Sequence, residues 1–216
     1  TKDNGVFDYW VKPYDYKSKA LTINDLEEIK PEDSSFIFNR FLEILRHNVV
    51  SDKPNAFNKI FTLFLCKIYD EKSKDGTDKE LKFQWIDGKD DDVSFQLRLT
   101  DLYKKGMEEF LDKKVTDFSD DDFNSKYASL FADNENLKDL LKADIAKLRL
   151  EKNNEFAIKE VYDEKSFLEN AKVVKEVVEL LQSFKIRYTQ KQQYLSDFFE
   201  LLLTTGLKQE SGQFFT

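Results

Sequence analysis

Apolar side chains recur every three or four positions along most of the chain, a period typical of helices that bury one face. The clearest stripe follows Pro54, a residue that suits the first turn of a helix. A similar stripe predicts a helix from about residue 32 to His47, with Asn48 as a left-handed stop. The members of the clearest stripe are Phe57, Ile60, Phe61, Phe64, Leu65 and Ile68.

Further helices are predicted toward the C-terminus. Three helical stripes lie between residues 95 and 148. Ser166-x-x-Glu169 and Thr189-x-x-Gln192 have the pattern of capping boxes, and they predict helices over about 166–186 and 190–204. The helix over 166–186 is apolar on more than one side, so we expect it to be the central buried helix.

Two short segments, Leu81–Ile86 and Phe156–Val161, alternate apolar and polar residues as half-buried strands do. We predict that they pair as a small ribbon against the helices. A short helical turn is predicted to begin at Thr22, and Pro31 is expected to close it. Residues 1–20 are predicted to form an extended arm rich in aromatic side chains. The predicted fold class is therefore mainly α, a multi-helix bundle with a small two-stranded β insert.

Composition supports a folded helical protein. The 216 residues include only 6 Gly and 3 Pro, which leaves few positions for tight turns, and 20 Phe supply large buried side chains. The formal net charge of −8 gives no global attraction for nucleic-acid phosphates. The single Cys66 lies in an apolar run, so we expect a buried thiol in a reducing, cytoplasmic setting. Because no apolar stretch approaches the ~20 residues of a membrane helix, we expect no membrane partner.

Candidate catalytic chemistry is sparse. His47 is the only histidine, and its place at a predicted helix end favours a structural role. The acidic runs at 90–92 and 120–122 suggest magnesium ligands, but each directly precedes an apolar-periodic segment, which favours helix capping. The scattered glycines form neither a phosphate-binding loop nor a dinucleotide fingerprint. We therefore predict no metal site and no catalytic residue in this chain.

The strongest local excess of basic residues consists of Lys185, Arg187 and Lys191, close to the junction of the last two predicted helices. This small group has two interpretations. It is either a solvated face or a set of phosphate contacts to DNA within a larger assembly.

The C-terminal run differs from the rest of the chain. Asp197-Phe-Phe-Glu-Leu-Leu-Leu203 is followed by Thr205-Gly206 and then by Gly212-Gln-Phe-Phe-Thr216. This arrangement resembles the segment that leads into the catalytic domain of adenine-specific DNA methyltransferases. The resemblance is strongest to the modification subunits of type I restriction-modification systems and their fused relatives. The segment Asn55–Glu71 also resembles the apolar helix near the start of their N-terminal domain.

The resemblance implies that this chain is the N-terminal helical domain of a prokaryotic, S-adenosylmethionine-dependent enzyme, a site-specific adenine methyltransferase. By the resemblance, Phe215 and Thr216 contact the cofactor, while Gly212 and Gln213 shape the approach to it. The glycine-containing cofactor motif and the Asn/Asp-Pro-Pro-aromatic motif would follow Thr216, so we expect the chain alone to be non-catalytic.

The implied organisation has three parts. Residues 1–50 form the aromatic arm and first helices, 51–205 form the bundle with its β insert, and 206–216 begin the truncated catalytic-domain motif. The implied partners are the protein's own catalytic domain, a specificity subunit or domain, DNA in the full assembly, and a nuclease component, fused or separate. The acidic charge leaves a second interpretation open, a helical protein–protein interaction module unrelated to methylation.

Overall fold

The computed structural model describes residues 20–115, 120–131, 134–152 and 154–187, together with residues 200 and 204. Nearly all of the predicted aromatic arm over 1–20 and of the predicted helix over 190–204 lies outside these residues. Six α-helices lie within the described ranges: α1 (Pro31–His47), α2 (Lys53–Lys74), α3 (Asp92–Leu111), α4 (Asp120–Tyr127), α5 (Glu135–Lys152) and α6 (Glu164–Leu181).

Two short strands, β1 (Glu27–Glu28) and β2 (Phe184–Lys185), pair in parallel, with Glu27 opposite Phe184. Short 3₁₀ turns occupy Ile23–Asp25 and Ala128–Leu130. The structure therefore confirms the predicted fold class, a mainly helical bundle with a small two-stranded sheet. Among the described residues, no helix has both the length and the apolar character that crossing a membrane requires.

The sheet does not lie where the sequence pattern placed it, and the prediction of strands at residues 81–86 and 156–161 is wrong. Side chains of neighbouring helices bind the backbone of both segments. In the first segment, Asp70 accepts two consecutive backbone N–H groups at 2.6 and 2.7 Å. In the second, Asn170 accepts one N–H at 2.9 Å and donates to one carbonyl at 3.1 Å. Because these groups already have partners, the segments need no strand pairing.

Acidic residues begin three of the helices. Asp52 accepts the Asn55 N–H at 3.0 Å at the start of α2, and Asp91 accepts the N–H groups at the start of α3. The prediction that the acidic run at 90–92 caps a helix is thus confirmed. At α6 the N-cap is Asp163, which accepts the Ser166 N–H at 2.8 Å. The predicted cap at Ser166 is therefore wrong, and the helix begins earlier because an aspartate binds the orphan donors well.

Pro31 begins α1 instead of closing the preceding turn. Its fixed φ suits the first position of a helix, where its missing N–H costs nothing.

The core is built around α2 and α6. The four buried valines of α6 lie on one broad face, while Lys172 and Glu179 on the opposite face are exposed, so the prediction of a central helix buried on more than one side is wrong. Phe64 of the predicted stripe is buried, while Phe61 is half-buried against the same core. Close packing of α2 on α3 depends on Gly106, because a Cβ there would lie only 3.1 Å from Leu65 Cγ. The four valines are Val173, Val174, Val177 and Val178.

The connection between α1 and α2 contains an unusual backbone. Asn48, the predicted left-handed stop, has φ −86° and ψ 8°, so that prediction is wrong. The left-handed residue is Val49, with φ 54° and a side chain that is 81% exposed. Asn48 instead donates its side-chain amide to the Ile44 carbonyl and to Glu176, each at 3.0 Å. The bond to Ile44 closes the end of α1 and the bond to Glu176 holds that end against α6. The left-handed conformation falls on Val49, a β-branched residue that rarely adopts it.

Replacing Val49 with glycine should raise the free energy of unfolding by about 1 kcal/mol. Left-handed backbone costs an L-residue about 1–2 kcal/mol, and part of that gain is offset by the greater chain entropy of glycine. Chemical denaturation measures the change. The matched control is Asp112→Gly at φ 50°, where aspartate tolerates the conformation and the gain should stay below about 0.5 kcal/mol. A less stable Val49→Gly variant would contradict the strain at this turn.

Candidate functional site

The segment that leads toward the C-terminal sequence pattern is fastened to the end of α2. We call residues 184–187 the junction segment. Glu71, in the last turns of α2, accepts the Ile186 N–H at 3.1 Å and the Arg187 N–H at 2.6 Å. One buried carboxylate thus fixes where the chain leaves the bundle after α6.

The same carboxylate is half of a buried ion pair. Lys67 Nζ lies 3.1 Å from Glu71 Oε1, and each side chain is 1% exposed. Lys67 also donates to the Gln182 carbonyl at 3.3 Å, just before the junction segment. Burial lowers the pKa of Lys67, and the charge and hydrogen bond of Glu71 oppose that shift. The pair therefore connects α2 to the chain after α6 in two places. Lys67 binds Gln182, and Glu71 binds the junction segment.

The other buried titratable groups of α2 fit structural roles. Burial raises the pKa of Asp70, whose Oδ2 holds the 81–86 segment while Oδ1 has no hydrogen-bond partner among the described residues. Burial also raises the pKa of the Cys66 thiol, which lowers its reactivity at neutral pH. His47 ends α1, where the sequence placed it. Within the described ranges, no three His, Cys, Asp or Glu side chains form a group that could hold a metal ion.

Both ends of the described core attach to one connection, the 75–91 loop between α2 and α3. Leu21 and Gln84 exchange two hydrogen bonds, at 2.7 and 3.1 Å, and Arg187 Nη1 lies 2.7 Å from Asp75 Oδ2. The loop is itself held by Arg98, which binds both carboxylate oxygens of Asp90 at 2.6 Å. Contacts with the 75–91 loop therefore hold both Leu21 and Arg187, which lie near the two ends of the described core.

The structure brings two of the three predicted DNA-contact residues together. Lys185 lies on β2, half-buried and paired through its backbone with Glu28. The side chain of Arg187 is 33% exposed and pairs with Asp75. The hydrogen bond and charge of Arg187 lower the pKa of Asp75, and the charge of Lys185 adds to the effect. The carboxylate of Asp75 thus reduces the positive field that these cations offer to phosphate.

The remaining predicted site residues lie outside the described part of the chain. They are Lys191, Gly212, Gln213, Phe215 and Thr216. Lys67, Glu71 and Asp75 were not predicted as a site. Spacing alone does not distinguish the Lys67–Glu71 pair from an exposed helical pair.

A concave feature lies at the opposite end of α2 from the junction segment. We call it the cleft, and its volume is about 520 Å³. One wall consists of residues 49–52, Asn55 and Lys59; the other consists of residues 157–160, Tyr162, Ser166 and Glu169. Asn55 donates to the Ala157 carbonyl at 2.8 Å and joins the walls.

No protein-family model, curated protein or solved structure matches this chain.

Proposed function

We propose that this chain is the N-terminal helical domain of an adenine-specific DNA methyltransferase of a restriction-modification system. The observation that carries the proposal is the C-terminal pattern, Asp197–Leu203 followed by Gly212–Thr216. In this proposal the cofactor is S-adenosylmethionine, and Gly212, Gln213, Phe215 and Thr216 border its pocket. The methyl-transfer chemistry belongs to motifs that would follow this chain.

The junction segment supports a role in which the bundle packs against a catalytic domain. Glu71 and Lys67 fix the chain as it leaves α6, only ten residues before the C-terminal pattern begins at Asp197. A firmly held exit restricts how a following domain sits on the bundle. Enzymes that modify a base extrude it from the duplex, and an additional domain helps to hold the deformed DNA. The specificity component is the other partner of this domain in the proposal.

The decisive experiment uses the intact gene product. It should transfer a methyl group from S-adenosylmethionine to adenine in duplex DNA, measured with radiolabelled cofactor. Phe215→Ala should raise the KM for the cofactor, while Phe36→Ala, at an exposed position of α1, should leave it unchanged. The downstream sequence provides an independent check. Absence of both the glycine-containing motif and the Asn/Asp-Pro-Pro-aromatic motif would refute the proposal.

In the proposed assembly, Lys185, Arg187 and Lys191 contact the DNA backbone and orient the duplex without reading its sequence. Replacing each by alanine should lower the log–log salt slope of DNA binding by about 0.9 per lost phosphate contact. The matched control is Lys165→Ala, at the opposite end of α6. If all three variants keep the salt slope of the unmodified protein, these residues form a solvated face.

A second candidate function, a helical protein–protein interaction module, is favoured by one observation. Helix α5 exposes three leucines along its length while burying only Leu150 among its described side chains. Exposed apolar side chains that share a helix are typical of contact surfaces. An intact gene product with no methyltransferase activity and no downstream motifs would leave this candidate as the better one. The exposed leucines are Leu137, Leu140 and Leu148.

A further inference from the structure

We propose that the cleft binds an extended peptide segment of another protein and that an acidic side chain of this peptide pairs with Lys59. This site is separate from the proposed methyltransferase function. About 24 Å of helix axis separates Asn55, at the cleft, from Glu71, at the junction segment. A variant that loses peptide binding at the cleft can therefore still be tested for methyl transfer, and the reverse also holds.

Lys59 supplies a free positive charge. It is half-buried in the cleft wall, and it makes no hydrogen bond or ion pair with any residue that the structure describes. The other lysine of the cleft differs, because Lys159 lies 2.8 Å from Glu169. An ammonium group gains more binding free energy from a carboxylate in a partly desolvated cleft than from one in bulk water.

Backbone donors are open on both walls. The N–H groups of Ser51 and Asp52 on one wall, and of Glu160 on the other, have no hydrogen-bond partner within the described residues. These three residues belong to neither helix nor strand, and all of them are exposed. An extended peptide presents carbonyl groups along both of its edges, which is the arrangement that such donors bind.

The charges of the cleft also restrict the ligand. The carboxylate of Asp52 is engaged in capping α2, and that of Glu169 pairs with Lys159, while Glu160 is exposed at the rim. Three carboxylates would repel a polyanion such as nucleic acid. A single acidic side chain that reaches Lys59 avoids most of that repulsion. At the rim, exposed Val49 and Tyr162 offer apolar contact to the flanking residues of the peptide.

The test is an NMR titration of the ¹⁵N-labelled full chain with the peptide acetyl-Ala-Ala-Glu-Ala-Ala-amide. We expect saturable shifts of the Ser51, Asp52, Lys59 and Glu160 amide signals. The matched Gln peptide should bind about tenfold more weakly, since it loses the charge-assisted bond. Glutarate alone should shift these signals much less than the peptide, because it lacks the main chain.

Variants isolate the role of Lys59. Lys59→Gln should weaken binding of the Glu peptide about tenfold, and Lys59→Arg should retain it, because arginine keeps the charge. Lys89→Gln, at an exposed position of the 75–91 loop, is the matched control and should bind as the parent does. The amide spectrum reports whether each variant is folded. Equal binding of the Glu and Gln peptides, equal binding of glutarate, or unchanged binding by Lys59→Gln would each overturn the proposal.

Discussion

Replacing Phe41 with alanine should lower the free energy of unfolding by about 3–5 kcal/mol, the usual cost of truncating a buried phenylalanine. The Phe41 side chain, on α1, is 0% exposed. Its ring lies edge-on to that of Phe57, with 5.5 Å between the centroids, so the substitution removes a contact between α1 and α2 as well as buried area. Urea denaturation followed by circular dichroism measures the loss.

Phe36 provides the matched control, since it is on the same helix and 53% exposed. Phe36→Ala should change the free energy of unfolding by less than about 0.5 kcal/mol, as surface substitutions usually do. Similar losses from the two variants would contradict the assignment of Phe41 to the core and Phe36 to the surface.

Replacing Glu71 with alanine should cost about 3–5 kcal/mol, because it leaves the ammonium of Lys67 buried without a counter-charge. It also removes the acceptor of the Ile186 and Arg187 N–H groups. Chemical denaturation measures the cost. Hydrogen exchange at Ile186 and Arg187 should become faster, which locates the damage at the junction segment.

Two comparisons test this explanation. The double variant Lys67→Met, Glu71→Leu should be more stable than Glu71→Ala, because no unpaired charge stays buried. Glu109→Ala breaks the exposed pair with Lys72 and should cost less than about 1 kcal/mol. If Glu71→Ala costs no more than Glu109→Ala, the buried pair does not hold the junction segment.

The helices could be predicted because their pattern is local. The stripe after Pro54 needs no knowledge of distant residues, and the structure forms α2 from Lys53 to Lys74. The predicted N-cap of α6 lies three residues after the observed one, because both Asp163 and Ser166 have side chains that cap helices. Only the full set of contacts decides between them.

The sheet could not be predicted in the same way. Two-residue strands such as Glu27–Glu28 are too short to show alternation. The 81–86 segment does alternate, but its N–H groups bind Asp70 on α2 and Gln182 directly after α6, which are distant in sequence. Alternation reports which side chains are buried, whereas strand pairing depends on which acceptors the tertiary fold supplies.

The junction segment and the cleft were missed for a related reason. Lys67 and Glu71 lie four residues apart, a spacing that describes an exposed helical pair equally well. The residues of the cleft come from two segments far apart in sequence, 49–59 and 157–169, and no single motif contains them. The cation group at Lys185 and Arg187 was predicted, but its partner Asp75 was not, since it follows α2 more than a hundred residues earlier.

The pairing of Glu27 with Phe184 also imposes an order on biosynthesis. At ribosomal rates of about 5–20 residues per second, on the order of 10 s passes between the appearance of β1 and that of β2. During this interval the nascent helices have no second strand, and the carboxylate of Glu71 has no Ile186 or Arg187 amide to bind. Residues 184–187, which are synthesised long after β1 and Glu71, therefore complete the contacts of both.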